Sequence, residues 1–447
     1  CARHRQRGLG GSGLAKLVVR GGHRLEGRVR IGGRKNSAVA VMPATLLATG
    51  PSVLENLPII RDVDTYVAIL RAMGVKVDRI SPHTLRIDSR HLDPLPPPDL
   101  VKQMRASYYL LGVFLGRYGY AEVPVPGGCD IGQRPLDQHL KGLRALGAEV
   151  AIEHGVIRAR ADRLVGAPVY LDVVSVGATI NIMLAAVLAE GTTVIENAAK
   201  EPHIVDLANQ LNAMGARVVG AGTDVIKIRG VTRLKGATHA IIPDEIEAAT
   251  FMMAAVATRG DVILENVIPK HLDPITAKLR EAGAEIEENG DWVRVRCDRR
   301  PRAVNVKTLP YPGFPTDAQQ PMTALLSTAE GTSVVTDTIW EARFKHVDEL
   351  QRMGTQIRVE GRTAIIDGVE RLSGTHVRAT DLRAGAALVL AGLVAEGETV
   401  ISGIEHIERG YELMHEKFRG LGADVQRVDE APAPLPEHAQ ALARSQG

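Results

Sequence analysis

Apolar and polar positions along this chain follow a pattern that returns about every 70 residues. Apolar residues at helical spacing run up to a glycine, and a strand-forming segment follows at once. The junction reads Met73-Gly74-Val75-Lys76-Val77, Leu146-Gly147-Ala148-Glu149-Val150 and Met214-Gly215-Ala216-Arg217-Val218 in the first half. It returns as Ala282-Gly283-Ala284-Glu285-Ile286, Met353-Gly354-Thr355-Gln356-Ile357 and Leu421-Gly422-Ala423-Asp424-Val425. A glycine there suits a helix that ends in the left-handed conformation.

Ahead of the glycine, Val63, Val67 and Leu70, or Leu136, Leu140 and Leu143, predict one amphipathic helix per copy. Asp273-Pro274 predicts an N-cap followed by proline at the first helical position. Before that helix stands a short β-branched run, as at 192–197 and 261–266. Before the run comes an alanine-rich helix, as at 178–191 and 384–397. Two strands follow the glycine, for example 75–80 and 84–88. Each unit therefore predicts β-α-β-α-β-β. Simple alternation of strands and helices does not explain the recurring Ala189-Glu190-Gly191-Thr192, Ala329-Glu330-Gly331-Thr332 and Ala395-Glu396-Gly397-Glu398, so the units read as duplications.

Six units predict an α/β protein of two domains, three units in each. The division expected is 34–242 for the first domain and 14–33 with 243–429 for the second. The strand-like segments 17–20 and 25–31 precede the first helix and by pattern could pair with either half. Residues 430–447, rich in alanine and proline and without an apolar period, read as a disordered tail.

Composition narrows the function classes. The formal net charge of +2 is too balanced to imply a nucleic acid or a membrane surface as partner, and 3% aromatic residues leave few stacking platforms. No run of about 18 apolar residues occurs, so no spanning helix is expected. Cys1, Cys129 and Cys297 lack any CxxC spacing, which argues against a disulfide framework or a zinc site and fits a cytoplasmic protein. His139 and His346 stand alone, so no metal is expected and no cofactor is called for. The N-terminus starts on Cys1 and has no secretory h-region, which suggests a trimmed start. Oligomeric state is not readable.

Unusual polar residues gather where helices begin. One series holds Lys35-Asn36, Arg105, Ser175-Val176-Gly177, Thr316-Asp317 and Asp381-Leu382-Arg383; another holds Arg134, Arg343 and Arg409. Helix starts present free N–H groups and a positive dipole end, so these positions suit an anionic substrate. Cations from both halves at equivalent ends could form one positive cleft, although each arginine alone would pass for a solvated surface residue. The loop Pro126-Gly127-Gly128-Cys129-Asp130-Ile131-Gly132-Gln133-Arg134-Pro135 presents a thiol among glycines, with an arginine that favours the thiolate. A plain connecting loop with an incidental cysteine is the competing reading.

Taken in order, Lys35-Asn36, Met104-Arg105-Ala106-Ser107, Pro126-Gly127-Gly128-Cys129, Arg134-Pro135, Ser175-Val176-Gly177-Ala178-Thr179, Phe314-Pro315-Thr316-Asp317, Arg343-Phe344, Thr380-Asp381-Leu382-Arg383-Ala384 and Arg409-Gly410-Tyr411-Glu412 resemble the UDP-N-acetylglucosamine 1-carboxyvinyltransferase family, over about Leu14 to Val428. The resemblance implies the enolpyruvyl transferase fold: two inverse α/β barrels, each of three βαβαββ units. It implies transfer of the enolpyruvyl group of phosphoenolpyruvate to the 3′-hydroxyl of UDP-N-acetylglucosamine, with release of phosphate, as the first committed step of peptidoglycan synthesis. By the same resemblance Cys129 is the proton donor and site of a covalent adduct, and Asp317 is the base. Lys35, Arg134 and Arg409 would hold phosphoenolpyruvate. The nucleotide sugar would contact Asn36, Arg105, Arg134, Pro135, Leu136, Asp137, Gln138, Ser175, Val176, Gly177, Asp317 and Ile339, with Arg343, Asp381 and Arg383 completing the site.

Two positions depart from the family pattern. Val173 stands where a lysine often meets the nucleotide, and Glu245 where an arginine is often found near the inter-domain strands. Two alternatives remain open at this point: the shikimate-pathway synthase of the same fold, and a catalytically dead paralogue that binds nucleotide sugar.

Overall fold

A computed structural model describes residues 15–125 and 136–429. Cys129, Arg134, Pro135 and the segment 430–447 lie outside the described residues. All six repeat glycines have positive φ, from 81° at Gly74 to 106° at Gly283, so each helix does end where a side chain would be strained.

The third unit displays the common plan. Helix Val176–Ala186 carries the chain from strand Pro168–Tyr170 to its parallel neighbour Thr192–Glu196, and helix Pro202–Ala213 then leads into the hairpin Arg217–Val219 and Val225–Arg229. The hairpin's second strand adds antiparallel to Thr192–Glu196, giving a four-stranded sheet. Strands bury alternate residues, as Ala364 and Ile366 do in Thr363–Asp367, so each sheet has one face for the core and one for water. The alanine-rich helices are buried on every side: from Arg383 to Leu393 no residue of Leu382–Val394 reaches solvent appreciably. Helices therefore lie inside and sheets outside, and small residues allow it. At Gly112 of helix Tyr109–Tyr118, a Cβ would collide with the Asn181 carbonyl on the neighbouring inner helix.

One hydrophobic core runs from Ala38 to Ile241, and a second joins Leu17–Ile31 to residues 248–425. Four units depart from the simple repeat among the described residues. Strand Glu26–Arg30 pairs in parallel with Asp261–Glu265, and Thr238–Ala240 pairs in parallel with Ser52–Glu55, so the first and fourth units each borrow an edge strand from before the other's first helix. Lys16–Arg20 lies antiparallel between Glu398–Ser402 and Asp424–Val428 and completes the sixth unit's sheet. The second unit's sheet has three strands among the described residues. Asp273 also differs from expectation: it is the first residue of helix Asp273–Glu281, Leu272 occupies the cap position, and no side chain caps the helix.

The two passages between halves run antiparallel beside each other. The Arg34 N–H donates to the Ile242 carbonyl at 2.8 Å and the Asp244 N–H to the Gly32 carbonyl at 2.9 Å. Glu245, out of pattern in the sequence, is buried against Arg34. Burial pushes its carboxyl up to about 7 even with Arg34 opposing the rise. The crossing places the N-termini of helices Lys35–Ala44 and Glu245–Ala257, one from each core, next to one another, and the Asp244 carboxylate accepts from the Lys35 N–H at 3.0 Å.

Candidate active site

Those residues singled out in the sequence that lie among the described ones fall into three groups, the first of them at this crossing. In the first, Lys35 and Arg409 meet across the two halves on a residue the sequence reading overlooked. Asp62, near the start of helix Arg61–Ala72, accepts Lys35 Nζ at 3.1 Å on one oxygen and Arg409 Nε at 3.0 Å on the other. Burial would raise the Asp62 carboxyl, but Lys35 and Arg409 outweigh it and hold the group below its ordinary range. Gly410 lets the second half approach this closely, because a Cβ there would press on the Lys35 side chain at 2.7 Å.

The second group surrounds Asp317, in the 3-10 turn Thr316–Ala318 that opens helix Gln319–Leu326. Its Oδ1 accepts from Arg343 Nη2 at 2.7 Å and its Oδ2 from Arg383 Nη2 at 3.3 Å. Both arginines are almost wholly buried, while the Asp317 side chain keeps 27% of its surface open. Desolvation favours the neutral acid here; Arg343, Arg383 and, further off, Lys35 overcome it and keep the carboxyl well below the usual carboxylate range. Arg383 also lies over the Tyr411 ring, 5.2 Å from its centroid, and Tyr411 shares a hydrogen bond with Thr250 at 2.8 Å. Asp381 acts from beneath. It caps helix Leu382–Val394 by accepting from the Arg383 and Ala384 N–H groups, both at 2.9 Å, so it fixes the backbone that aims Arg383.

The third group belongs to the first half. Ser175 caps helix Val176–Ala186, its hydroxyl accepting from the Ala178 N–H at 3.2 Å. Gly177 sits against Tyr108 and His139, which leave no room for a Cβ. Arg105 stands 5.7 Å from the Tyr108 ring centroid, and Tyr108 meets His139 edge-on at 4.8 Å. Burial, helped by Arg105, pushes His139 down to about 4, so its ring is neutral at pH 7 and its Nδ1 accepts from the Asn181 amide NH₂ at 3.2 Å. Leu136 and Asp137 begin helix Asp137–Ala145, and Gln138 donates to Asp172 at 3.1 Å. Asn36 is half-buried in the first turn of its helix. Val173 is exposed beside Asp172. In the second half, Ile339 lies in the turn after strand Thr332–Thr336, and its N–H donates to Asp337 at 2.9 Å.

The arrangement offers two cationic sites within electrostatic reach of one another and a carboxylate that stays ionised. No group of three or more His, Cys, Asp or Glu residues among the described residues could hold a metal ion. Nor is any helix among them long and apolar enough to cross a membrane. Asp62 escaped the sequence reading because one acid at a helix start is ordinary; its proximity to cations set apart in the sequence was the missing signal.

Comparison with known proteins adds an independent line. Residues 19–418 match the family described as EPSP synthase (3-phosphoshikimate 1-carboxyvinyltransferase). The chain is 61% identical to UDP-N-acetylglucosamine 1-carboxyvinyltransferase 3 of Symbiobacterium thermophilum, over 94% of this chain and 100% of the relative. It is 58% identical to UDP-N-acetylglucosamine 1-carboxyvinyltransferase 2 of Clostridium acetobutylicum, over 93% and 99%. Among solved structures it is similar to the enolpyruvyl transferase NikO from Streptomyces tendae, with TM-score 0.84, 28% identity and coverage of 94% of this chain and 100% of that one. EPSP synthase from Acinetobacter baumannii shares the fold, with TM-score 0.72 at 20% identity and coverage of 93% and 100%.

Proposed function

Because the chain belongs to the UDP-N-acetylglucosamine 1-carboxyvinyltransferases, a branch of the enolpyruvyl transferase family, we propose that its own residues move the enolpyruvyl group of phosphoenolpyruvate to the 3′-hydroxyl of UDP-N-acetylglucosamine. Asp317 takes the hydroxyl proton as the sugar oxygen bonds to C2 of phosphoenolpyruvate. Cys129 delivers a proton to C3, and the resulting tetrahedral adduct then loses a proton from its C3 methyl, which restores the thiol, and phosphate, which leaves with the proton held by Asp317, to give the enol ether. Lys35, Arg134 and Arg409 hold the phosphate and carboxylate, and the group around Ser175, Gly177 and Arg105 receives the nucleotide. The product commits its sugar to peptidoglycan, and the reaction belongs in the cytoplasm.

The observation that carries this reading is the ionised Asp317 held between Arg343 and Arg383. A carboxylate so stabilised is a weak base alone. An anionic substrate group that draws on the same guanidinium groups returns basicity to Asp317 as the site fills. Closure of the two halves around substrate excludes water from the adduct.

Phosphate release from phosphoenolpyruvate, followed with each candidate acceptor, tests the proposal. UDP-N-acetylglucosamine should support release and shikimate 3-phosphate should not. The reverse pattern would assign the chain to the shikimate-pathway reaction, and no release with either would make it a binding protein.

A further inference from the structure

We infer that Asp337, acting through the Thr316 hydroxyl, is a positioning residue that holds the Arg343–Asp317 pair and the Ile339 turn in one register. The inference rests on the roles proposed above for Asp317, Arg343 and Ile339.

Asp337 follows strand Thr332–Thr336 and is completely buried. A carboxyl without access to water is costly unless its lone pairs are met, and here four donors meet them. Oδ1 accepts from the Ile339 N–H at 2.9 Å, the Trp340 N–H at 3.1 Å and the Thr308 hydroxyl at 3.0 Å. Oδ2 accepts from the Thr316 hydroxyl at 2.7 Å.

The direction of the Thr316 bond is forced. Arg343 Nη1 donates to Thr316 Oγ1 at 2.8 Å, and a guanidinium cannot accept, so the single hydroxyl proton of Thr316 must point to Asp337. The result is a one-way chain from Arg343 through Thr316 to Asp337. Arg343 Nη2 meanwhile donates to Asp317 at 2.7 Å, and Arg343 Nε has no partner among the described residues. The orientation of this buried guanidinium therefore depends on Thr316 and Asp317, which are neighbours in one turn. Asp337 anchors that turn from below and the Ile339 turn from the side. An amide at 337 does not reproduce this: with its oxygen on the two backbone donors its NH₂ turns to Thr316, whose hydroxyl then accepts twice and has lost the acceptor for its own proton.

Steady-state phosphate release with both natural substrates tests the chain. Thr316→Val keeps the shape and removes the acceptor of Arg343, so kcat/KM should fall about 10- to 100-fold, chiefly in kcat. Thr316→Ser should return it to within about threefold of wild type. Within an Arg343→Lys background, Thr316→Val should cost less than about threefold, since it acts through Arg343. Asp337→Ala, which removes both oxygens, should in addition raise KM for UDP-N-acetylglucosamine, as it also frees the Ile339 turn. Should that variant fail to fold, the Thr316 series still decides. Wild-type kinetics in Thr316→Val, no rescue by serine, or full additivity with Arg343→Lys would each overturn the positioning role while leaving the functional reading intact. A wild-type protein that releases no phosphate would overturn both.

Discussion

Replacing Asp317 with asparagine tests the proposed base and its electrostatic setting together. The change keeps shape but removes the charge that lies 2.7 Å from Arg343 and 3.3 Å from Arg383. The amide oxygen can still accept from one arginine; the NH₂ must then face the other, donor against donor. Breaking a fully buried ion pair costs about 3–5 kcal/mol. Here Asp317 is 27% exposed, Arg343 keeps Thr316 and Arg383 keeps the Tyr411 ring, so the loss should be nearer about 2 kcal/mol. A protein with an ordinary reserve of about 5–15 kcal/mol stays folded after such a loss. Turnover should nevertheless drop by about 100-fold or more, the usual share of general base catalysis. Urea titration reads the first number and phosphate release the second. Because the stability loss cannot account for the rate loss, activity within about threefold of wild type would remove Asp317 from the mechanism.

Cys129→Asp should retain activity, since a partly desolvated carboxyl can carry a proton near neutrality, whereas Cys129→Ser should not; an inactive Asp variant beside an active Ser variant would refute the proton-donor role. Fosfomycin with UDP-N-acetylglucosamine should add once to wild type, at Cys129 rather than Cys1 or Cys297, and spare Cys129→Asp, as intact mass and peptide mapping would report. Scattering should register compaction when UDP-N-acetylglucosamine saturates the protein; Asp62→Asn, which unties Lys35 from Arg409, should give a larger unliganded radius of gyration than wild type, and identical dimensions in all states would argue against a hinge. His139 has a folded pKa depressed to about 4, so the unfolded chain binds its proton first as pH falls, and stability is lost from about pH 6.5 downwards. Across the window from pH 6.5 to 4 this amounts to about 3 kcal/mol, and urea titrations should find it missing in His139→Gln; parallel profiles for the two proteins would contradict the buried neutral ring.

Much of the architecture was legible because its causes are local. A helix that ends in the left-handed region needs glycine, and Gly74, Gly147, Gly215, Gly283, Gly354 and Gly422 mark such ends with φ above 80°. Ser175 and Asp381 advertise helix starts because their side chains cap within three residues. Motif order identified the family, and the same motifs drew attention to Lys35, Asp317 and Arg409, which the fold brings into two neighbouring ion-pair groups.

Non-local pairing was decided only in three dimensions. Nothing in Glu26–Arg30 or Thr238–Ala240 specifies the strand it joins, since each pairs through backbone groups that every residue carries; the cores on either side select the partner. Asp62 and Arg409 are 347 positions apart, and Asp337 reads as one more acid after a strand. Their importance comes from what folding sets against them: two cations from opposite halves in one case, four donors in a dry interior in the other. Sequence alone determines the conformations that a residue and its near neighbours can adopt, but the charge and hydrogen bonds a buried carboxylate must answer are set by segments that meet only when the chain closes on itself.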